Sequence, residues 1–577
     1  MVDGPPDDGW LDAPVDDADA PAGAARKRKR KRANGSNGNG TLRIADASEL
    51  DPHGRPSIGL LPYREHEAVT ATIDALARLE DRVYQRGGLL TRVTREPEPD
   101  SDGPTTASPP RLSPVPRPVL RTWIDRRVRL SEPKRGEMQP CHPPDWLVAS
   151  VDTIGEWPGV RRLESVTQCP VMRSDGTIVD EPGYDPATGL LFEPNFQPIR
   201  VPELPSQADA LDALAELRDV VCDFPFVAPE HESGWLALLL TPFARFAFRG
   251  PSPLGVIDGS VAGVGKGMLA QVISVLVDGV EMSPTPQPEE VDEERKLITS
   301  IALAGRRLVL IDNVTRAVGS GPLEALLTAT RWSDRVLGAS RTFDGDVLTQ
   351  WLVTGNNVAF RKKDTIRRVV HVRVESKSPT PEARSGFAHY PLLTWVRQER
   401  ARLVRACLTI LRAHAVAGWP DATRSPWGSF EGWSSRVRAA LVWLGCADPA
   451  DTRRELNASA DVEGRALVVL LDALWREQVL DRAGLTAREL LDLTKDRDDL
   501  RDAIDELCPT RRGEVTPRYL GQMLRGVKGR AIDVDGRTLA VESVPGRGHT
   551  LVWQAVAVDD AGEGEGESAP AGDGAPW

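Results

Sequence analysis

This sequence has no long hydrophobic run. Its most apolar stretch, Trp235 to Phe248, is interrupted by Pro242 and Arg245 and is too short to cross a bilayer, so it reads as a buried helix. No apolar segment of the secretory type opens the chain. These absences predict a soluble, cytoplasmic protein with no membrane partner. Cysteine is scarce as well. The six, at 141, 169, 222, 407, 446 and 508, include no pair spaced for a metal or a redox couple, which argues against structural zinc and fits reduced thiols. Positive charge is not in excess either: the net charge of −12 does not announce a nucleic-acid binder. Much of the acid sits in the tails, with seven aspartates up to Asp19 and six acids from Asp559, so contact with nucleic acid has to be argued locally.

What is present is 577 residues with 40% hydrophobic composition, too much chain for one core and enough for about three or four domains. Residues 1–57 read as a disordered tail in which acidic sequence gives way to the basic block Arg26 to Arg32. That block fits a solvated linker, a nuclear-import-like signal or sequence-independent nucleic-acid contact. Residues 58–96 form a small helix–strand segment. Val69, Ile73, Leu76, Leu79 and Val83 predict a helix from Glu65 to about Tyr84, and Gly87-Gly88 then turns into a strand from Leu89 to Val93. A Pro-rich linker covers 97–118, and a small β-rich domain is expected over 119–204. Residues 205–385 hold the central α/β module, and 386–460 a helical domain. Its aromatics Trp419, Trp427, Phe430, Trp433 and Trp443 are expected to pack rather than to stack on bases. Over 461–557, three helical segments precede the runs Ala531–Val534 and Thr550–Trp553, a winged-helix-like order made basic by Arg511, Arg512, Arg518, Arg525, Lys528 and Arg530. Residues 558–577 form an acidic tail.

The rest of the chain is organised around Pro253 to Val374. The apolar run Leu254 to Asp258 leads into Gly259, Ser260, Val261, Ala262, Gly263, Val264, Gly265, Lys266 and Gly267, and Met268 opens a helical pattern. Strand, glycine-rich loop with lysine, then helix is the layout of a phosphate-binding loop. The loop amides and the helix N-terminus would face one anion, and Lys266 would reach the β- and γ-phosphates of ATP. Ser260 replaces a usual glycine, and Gly267 replaces the serine or threonine whose hydroxyl helps hold Mg²⁺. Three further segments follow in order. Arg307 to Asn313 is an apolar strand presenting Asp312, a Mg²⁺ ligand, at its C-terminal end. Trp351 to Asn357 ends in Asn356 and Asn357, either of which would orient the attacking water or sense the γ-phosphate. Arg367 and Arg368 precede a β-rich run and are placed to reach a phosphate across a subunit boundary.

This order of loop, Asp-ended strand, Asn-ended strand and arginine pair resembles the superfamily-three helicases within the AAA+ ATPases. It is most similar to the primase–helicases of phages, poxviruses and bacterial mobile elements. Tyr84-Gln85-Arg86-Gly87-Gly88, Pro182 to Gly189 and Gly428 to Trp433 fit the bacterial relatives, and the likeness runs over roughly 60 to 555. The resemblance implies a multidomain α/β protein built on an AAA+-like P-loop ATPase with a parallel sheet. It also implies a homo-hexamer that threads or remodels single-stranded or forked DNA in the replication of a phage or mobile element. It suggests that a hairpin around Asp344-Gly345, following a helix end near Arg331, points into a central channel, with Arg341 as the candidate phosphate contact. A solvated turn is the plain alternative. No paired-carboxylate polymerase motif is present, so any priming would fall to a separate primase. Where such ATPases carry an acid next to the Mg²⁺-linked Asp, this chain has Asn313, which cannot accept a proton. Either Glu293 or Glu294 supplies the base, or turnover is slow. The expected activity is therefore an ATP-dependent helicase. The rivals are a nucleotide-dependent DNA scaffold with little hydrolysis and a P-loop regulator acting on proteins.

Overall fold

The computed structural model describes residues 54–558, apart from 80–82, 96–108, 339–340, 377–380, 382–383, 424, 454–455, 457–461, 480–483, 509–514 and 547–549. The Arg26–Arg32 block, most of the 97–118 linker, Arg511, Arg512 and the acidic tail lie outside the described residues.

The first part of the chain comprises β1 (Ser57–Gly59), α1 (Glu65–Ala77), β2 (Tyr84–Arg86), β3 (Leu89–Thr94), β4 (Arg111–Pro114), α2 (Arg117–Arg127), β5 (Arg129–Lys134), β6 (Glu137–Pro140) and α3 (Asp145–Thr153). β1 runs parallel to β5, which pairs antiparallel with β6, and β2, β3 and β4 form an antiparallel sheet. Two expectations are corrected here. The first helix stops at Ala77, and Tyr84 lies in β2. The region expected to be β-rich contains α2 and α3, because Leu120 and Ile124, and Leu147, Val148 and Val151, recur at helical spacing and are all buried beside Trp157. Short strands then follow: β7 (Ser165–Thr167), β8 (Val171–Met172), β9 (Ile178–Val179), β10 (Gly183–Asp185) and β11 (Leu190–Phe192).

The central module comprises α4 (Gln207–Val220), α5 (Pro229–Ala244), β12 (Leu254–Asp258), α6 (Lys266–Asp278), α7 (Val291–Ala304), β13 (Leu308–Val314), α8 (Gly321–Leu326), β14 (Arg331–Arg335), β15 (Thr342–Asp346), β16 (Gln350–Gly355), α9 (Lys363–Ile366) and β17 (Val369–Arg373). Four parallel strands lie in the order β13–β16–β12–β17. They are apolar along their length because both faces are covered. Leu308, Leu310 and Leu352 join the core of α5 and α6, whereas Val309, Ile311, Trp351 and Val353 join that of α7. The apolar run from Trp235 is the buried helix α5, as expected.

The segment expected to be a helix end and a hairpin around Asp344-Gly345 is a hairpin of β14 and β15 with its turn elsewhere, and Arg331 opens a strand rather than ending a helix. Asp344 and Gly345 lie inside β15, opposite Ser333 and Trp332, and the turn falls between Arg335 and Thr342. Gly345 serves there as a space for a ring, since a Cβ would stand 2.7 Å from Phe343.

Beyond the sheet come α10 (Leu392–Gln398), α11 (Arg400–Val416), α12 (Glu431–Trp433), a π-helical turn over Ser434–Arg438 and α13 (Ala439–Trp443). Trp427, Phe430 and Trp433 are buried in the same core as α5 and α6, with Trp419 and Trp443 packed against it. The last part holds α14 (Val462–Val479), β18 (Leu485–Thr486), α15 (Ala487–Leu493), α16 (Asp498–Leu507), α17 (Pro517–Gly526), β19 (Ala531–Val534), β20 (Arg537–Pro545) and β21 (Leu551–Ala557). Its antiparallel sheet runs β18–β21–β20–β19. β20 lies between the two runs that the sequence marks, and its Leu539, Ala540 and Val541 are all buried. Among the described residues no helix is long and apolar enough to cross a membrane.

Candidate functional site

The loop from Gly259 to Gly265 leaves the C-terminal end of β12 and enters α6 at Lys266. Gly263 (φ 79°) and Gly265 (φ 95°) take left-handed conformations, which bends consecutive amides into a concave nest. Gly259 and Gly265 are required for a second reason. A Cβ at Gly259 would meet the Val374 carbonyl at 2.5 Å, and one at Gly265 would meet the Phe224 ring at 2.6 Å. Gly267 differs, since nothing lies within 4 Å of the position its Cβ would take. Lys266 donates from Nζ to the Val261 carbonyl at 2.6 Å, and burial draws its pKa below the usual ammonium value while Asp258 opposes the shift. Ser260 is exposed, as is Met268 on the first turn of α6.

Asp258, the last residue of β12, was not singled out from sequence. Its side chain is 2% exposed. Its Oδ1 accepts from the Gly259 amide at 2.7 Å and from the Val358 amide at 3.1 Å. Burial alone would raise its carboxyl, but hydrogen bonds from His371 and these two amides outweigh that and hold it below the usual carboxylate value.

Because β16 is inserted between β12 and β13, the Asn-ended strand is the loop's direct neighbour and the Asp-ended strand stands one place further out. A bulge in β13 between Ile311 and Val314 turns Asn313 to φ 52°. The Asn313 amide donates to Thr354 Oγ1 at 3.0 Å, and that hydroxyl donates to Asp312 Oδ1. Thr354, also missed from sequence, therefore aims the carboxylate. Asn356 and Asn357 separate in role. Both are exposed, but Asn357 (φ 48°) donates its amide to the Gly259 carbonyl at 3.0 Å and accepts from Arg373 at 3.1 Å. Lys266, Asp312 and Asn356 thus share the C-terminal edge of one parallel sheet, where such sheets bind ligands.

The arginine pair and Arg341 are not brought to this edge. Glu294 lies on α7, on the face opposite α6, and lines a small cavity with Ile311, Val353 and Arg316. Glu293 is exposed and paired with Lys296 at 2.7 Å. The arginine pair stands at the N-terminal end of β17, where the Arg368 carbonyl accepts from Leu254 at 2.9 Å. That is one strand length, about 16 Å, from the loop of the same chain. Arg368 is buried, bonded to Asp364 and to the Glu324 carbonyl, so it cannot reach a neighbour. Arg367 is exposed beside Asp364, with its carbonyl held by Trp427 Nε1 at 2.9 Å. Arg341 is engaged inside the chain by Asp152, which also takes Arg117 at 2.8 Å, and so is not a free phosphate contact here.

A cavity of about 480 Å³ opens beside the loop. Phe224, Val264, Gly265 and Met268 form one side, and Phe387, Tyr390 and Leu392 from the segment leading into α10 form the other. His389 fixes that segment, stacked on Trp395 at 3.6 Å and bonded to Asp219 at 2.9 Å.

The stretches Tyr84 to Gly88, Pro182 to Gly189 and Gly428 to Trp433 serve the fold. Gln85 Nε2 donates to the Trp157 and Val160 carbonyls at 2.8 and 2.7 Å. Arg86 donates to the carbonyls of Ala302, Asp346 and Glu164 and lies 4.9 Å over Phe343. Asp185 closes the turn at Thr188 and Gly189. Gly432 lets α12 meet Arg249, whose carbonyl would lie 2.3 Å from a Cβ.

No family model and no curated protein matches this chain. Among solved structures, "The A form apo structure of NrS-1 C terminal region-CTR" is 10% identical, covers 84% of this chain and 98% of its own, and superposes with a TM-score of 0.34. "The A form apo structure of NrS-1 C terminal region-CTR(305-718)" is 9% identical, with coverages of 85% and 99% and a TM-score of 0.33. Similarity of that size leaves the functional reading to the residues themselves.

Proposed function

We propose that this chain is an oligomeric, ATP-driven DNA translocase of the AAA+ P-loop type, acting in the replication of a phage or mobile element. The observation that carries the reading is the convergence of Lys266 with its glycine nest, Asp312 aimed by Thr354, and the exposed Asn356 on one edge of the sheet. In this reading the nest and Lys266 hold the phosphates, the 480 Å³ cavity takes the base between Phe224 and Tyr390, and Asn356 faces the γ-phosphate. Among the described residues no group of three or more His, Cys, Asp or Glu side chains is arranged to hold a metal. A Mg²⁺ ion would therefore be held by Asp312 together with the nucleotide's phosphates, the usual arrangement for this ion, with open space at Gly267 for its water shell. The ion would neutralise charge developing on the phosphates.

Activity in this reading requires a second copy, because Arg367 stands a strand length from its own loop and is exposed for another's. For DNA, the C-terminal part supports a winged-helix contact. Helix α17 buries Leu520 and Leu524 and exposes Arg518, Gln522 and Arg525 at four- and three-residue spacing. Single-stranded or forked DNA is the expected substrate, with a separate primase as partner.

A second reading is a nucleotide-dependent scaffold with little turnover. Asn313 and Gly267 at the Mg²⁺ side favour it. ATP hydrolysis by the purified protein, with and without single-stranded DNA, separates the two. Turnover stimulated by DNA and lost in Lys266→Ala supports the motor. Nucleotide-dependent assembly on DNA without phosphate release supports the scaffold.

A further inference from the structure

Arg373 ends β17, directly opposite Asp258 in the register, on the same edge as the loop. Its guanidinium joins three pieces of chain. Nη1 donates to Asp258 Oδ2 at 3.1 Å, Nη2 to Asn357 Oδ1 at 3.1 Å, and Nε to Glu375 Oε1 at 2.7 Å. Asp258 in turn accepts from the amides at both ends of the arrangement, Gly259 at the loop's entry and Val358 just after the asparagines. The Asn357 amide closes the circuit on the Gly259 carbonyl at 3.0 Å, and the Val374 amide donates to the Asp258 carbonyl at 3.0 Å. Asn356 makes none of these bonds and is exposed between strand β16 and this anchored residue.

We infer that Arg373, acting through Asn357 and Asp258, is a positioning residue that holds Asn356 at a set distance from the phosphate loop. The argument is geometric. Asn357 sits at φ 48°, a left-handed conformation that asparagine adopts more readily than most residues and that two bonds fix here. What holds it is one amide bond to the loop and one side-chain bond to Arg373. A planar fork can serve Asp258 and Asn357 at once, whereas a lysine offers a single compact charge. Arg373 is one-quarter exposed and its donors are taken up by the protein, which is the pattern of a brace rather than of a group awaiting a ligand.

The inference rests on the nucleotide reading of the loop, and its test separates the two. Affinities for ATP and ADP would be measured by displacement of a fluorescent nucleotide, and turnover by phosphate release. The proteins compared are the wild type, Lys266→Ala, Asn356→Ala, Arg373→Ala, Arg373→Lys, Asn357→Ala and the Arg373→Ala/Asn357→Ala double variant. A brace predicts that Arg373→Ala and Asn357→Ala each lower kcat about tenfold or more while ADP affinity stays within about threefold, as a misplaced but intact group does. The double variant should be no worse than the poorer single one, and Arg373→Lys should fail to restore kcat. Additive losses, or a selective loss of ATP affinity in Arg373→Ala that Asn357→Ala does not share, would overturn the inference and make Arg373 a direct phosphate contact. A wild type that binds ATP without turning it over sinks the motor reading alone. The brace is then read in the ratio of ATP to ADP affinity, which must fall equally in Asn356→Ala, both single variants and the double. A wild type that binds no nucleotide ends both.

Discussion

Gly267 stands where a hydroxyl is usual, and the space around it is open. A Cβ placed there would meet no neighbouring element, and a threonine would reduce glycine's entropic penalty within α6. Gly267→Thr is therefore expected to fold at least as stably as the wild type. It should also lower the Mg²⁺ concentration for half-maximal nucleotide binding by about tenfold, the worth of one added interaction with a charged group. A Mg²⁺ titration of nucleotide binding checks this, and an unchanged midpoint would place the ion elsewhere. Gly265 illustrates the opposite case, with a left-handed backbone and the Phe224 ring filling the space a side chain would need. Of the residues singled out from sequence, Lys266 opens α6, Asp312 lies near the end of β13 and Asn356 follows β16. Arg341 and Arg368 are bonded elsewhere, to Asp152 and to the Glu324 carbonyl, and motif spacing could not reveal it, because each partner is distant in sequence.

At the scale of elements, the β14–β15 ribbon is built into the body of the protein. Arg86 from β2 reaches carbonyls on α7 and β15 and covers Phe343, Gly87 accepts from the Asp344 amide at 3.3 Å, and Arg341 binds the buried Asp152 of α3. A short motif near the start of the chain thus clamps the ribbon that follows the Asp-ended strand. Arg86→Ala would leave three carbonyls without that donor and is expected to cost about 3 kcal/mol. The melting temperature should fall, and limited proteolysis should cut first between Arg335 and Thr342. Cleavage unchanged from the wild type would show that the ribbon is held by its own packing. The aromatic residues of the helical part act similarly, since Trp427 bonds the Arg367 carbonyl and Trp433 bonds Thr241 at 2.8 Å.

At the scale of the whole molecule, two predictions concern assembly and pH. Lys266→Ala and Arg367→Ala proteins, each inactive alone, should recover part of the wild-type turnover when mixed, because intact half-sites can then pair. The expectation is about a quarter for a simple dimeric pairing with random exchange. No recovery in verified mixed oligomers would count against a trans role for Arg367. For pH, burial holds His371 below the usual imidazole value although Asp258 opposes it, and burial does the same to His414. An unfolded chain takes up those protons near pH 6.5 while the folded chain does not, so stability is full above about pH 6.5 and falls as pH drops below it. Asp258 has the opposite charge but the same direction of loss, and its share disappears only in more acid solution, below the usual carboxylate range near pH 4. Melting temperature should therefore decline from pH 7.5 to 5.5, and less steeply in His414→Gln. Equal slopes would remove His414 as a contributor.

The sequence by itself determined the order of the chemistry. Strand, glycine loop, lysine and helix are adjacent in the chain, and local backbone preferences suffice to build them. The apolar runs ending in Asp312 and in Asn356 are legible for the same reason, since a strand buried on both faces must be apolar throughout. Tertiary structure alone decided how neighbouring residues are bonded. Asn356 and Asn357 are both exposed, but only Asn357 is bonded to Arg373 and Gly259, and Arg368 is buried against Glu324 whereas Arg367 is exposed and paired with Asp364. It also decided that α7, which carries Glu294, covers the opposite face of the sheet from α6. These outcomes depend on strand order and on contacts between residues far apart in the chain, and neither is encoded in the spacing of a motif.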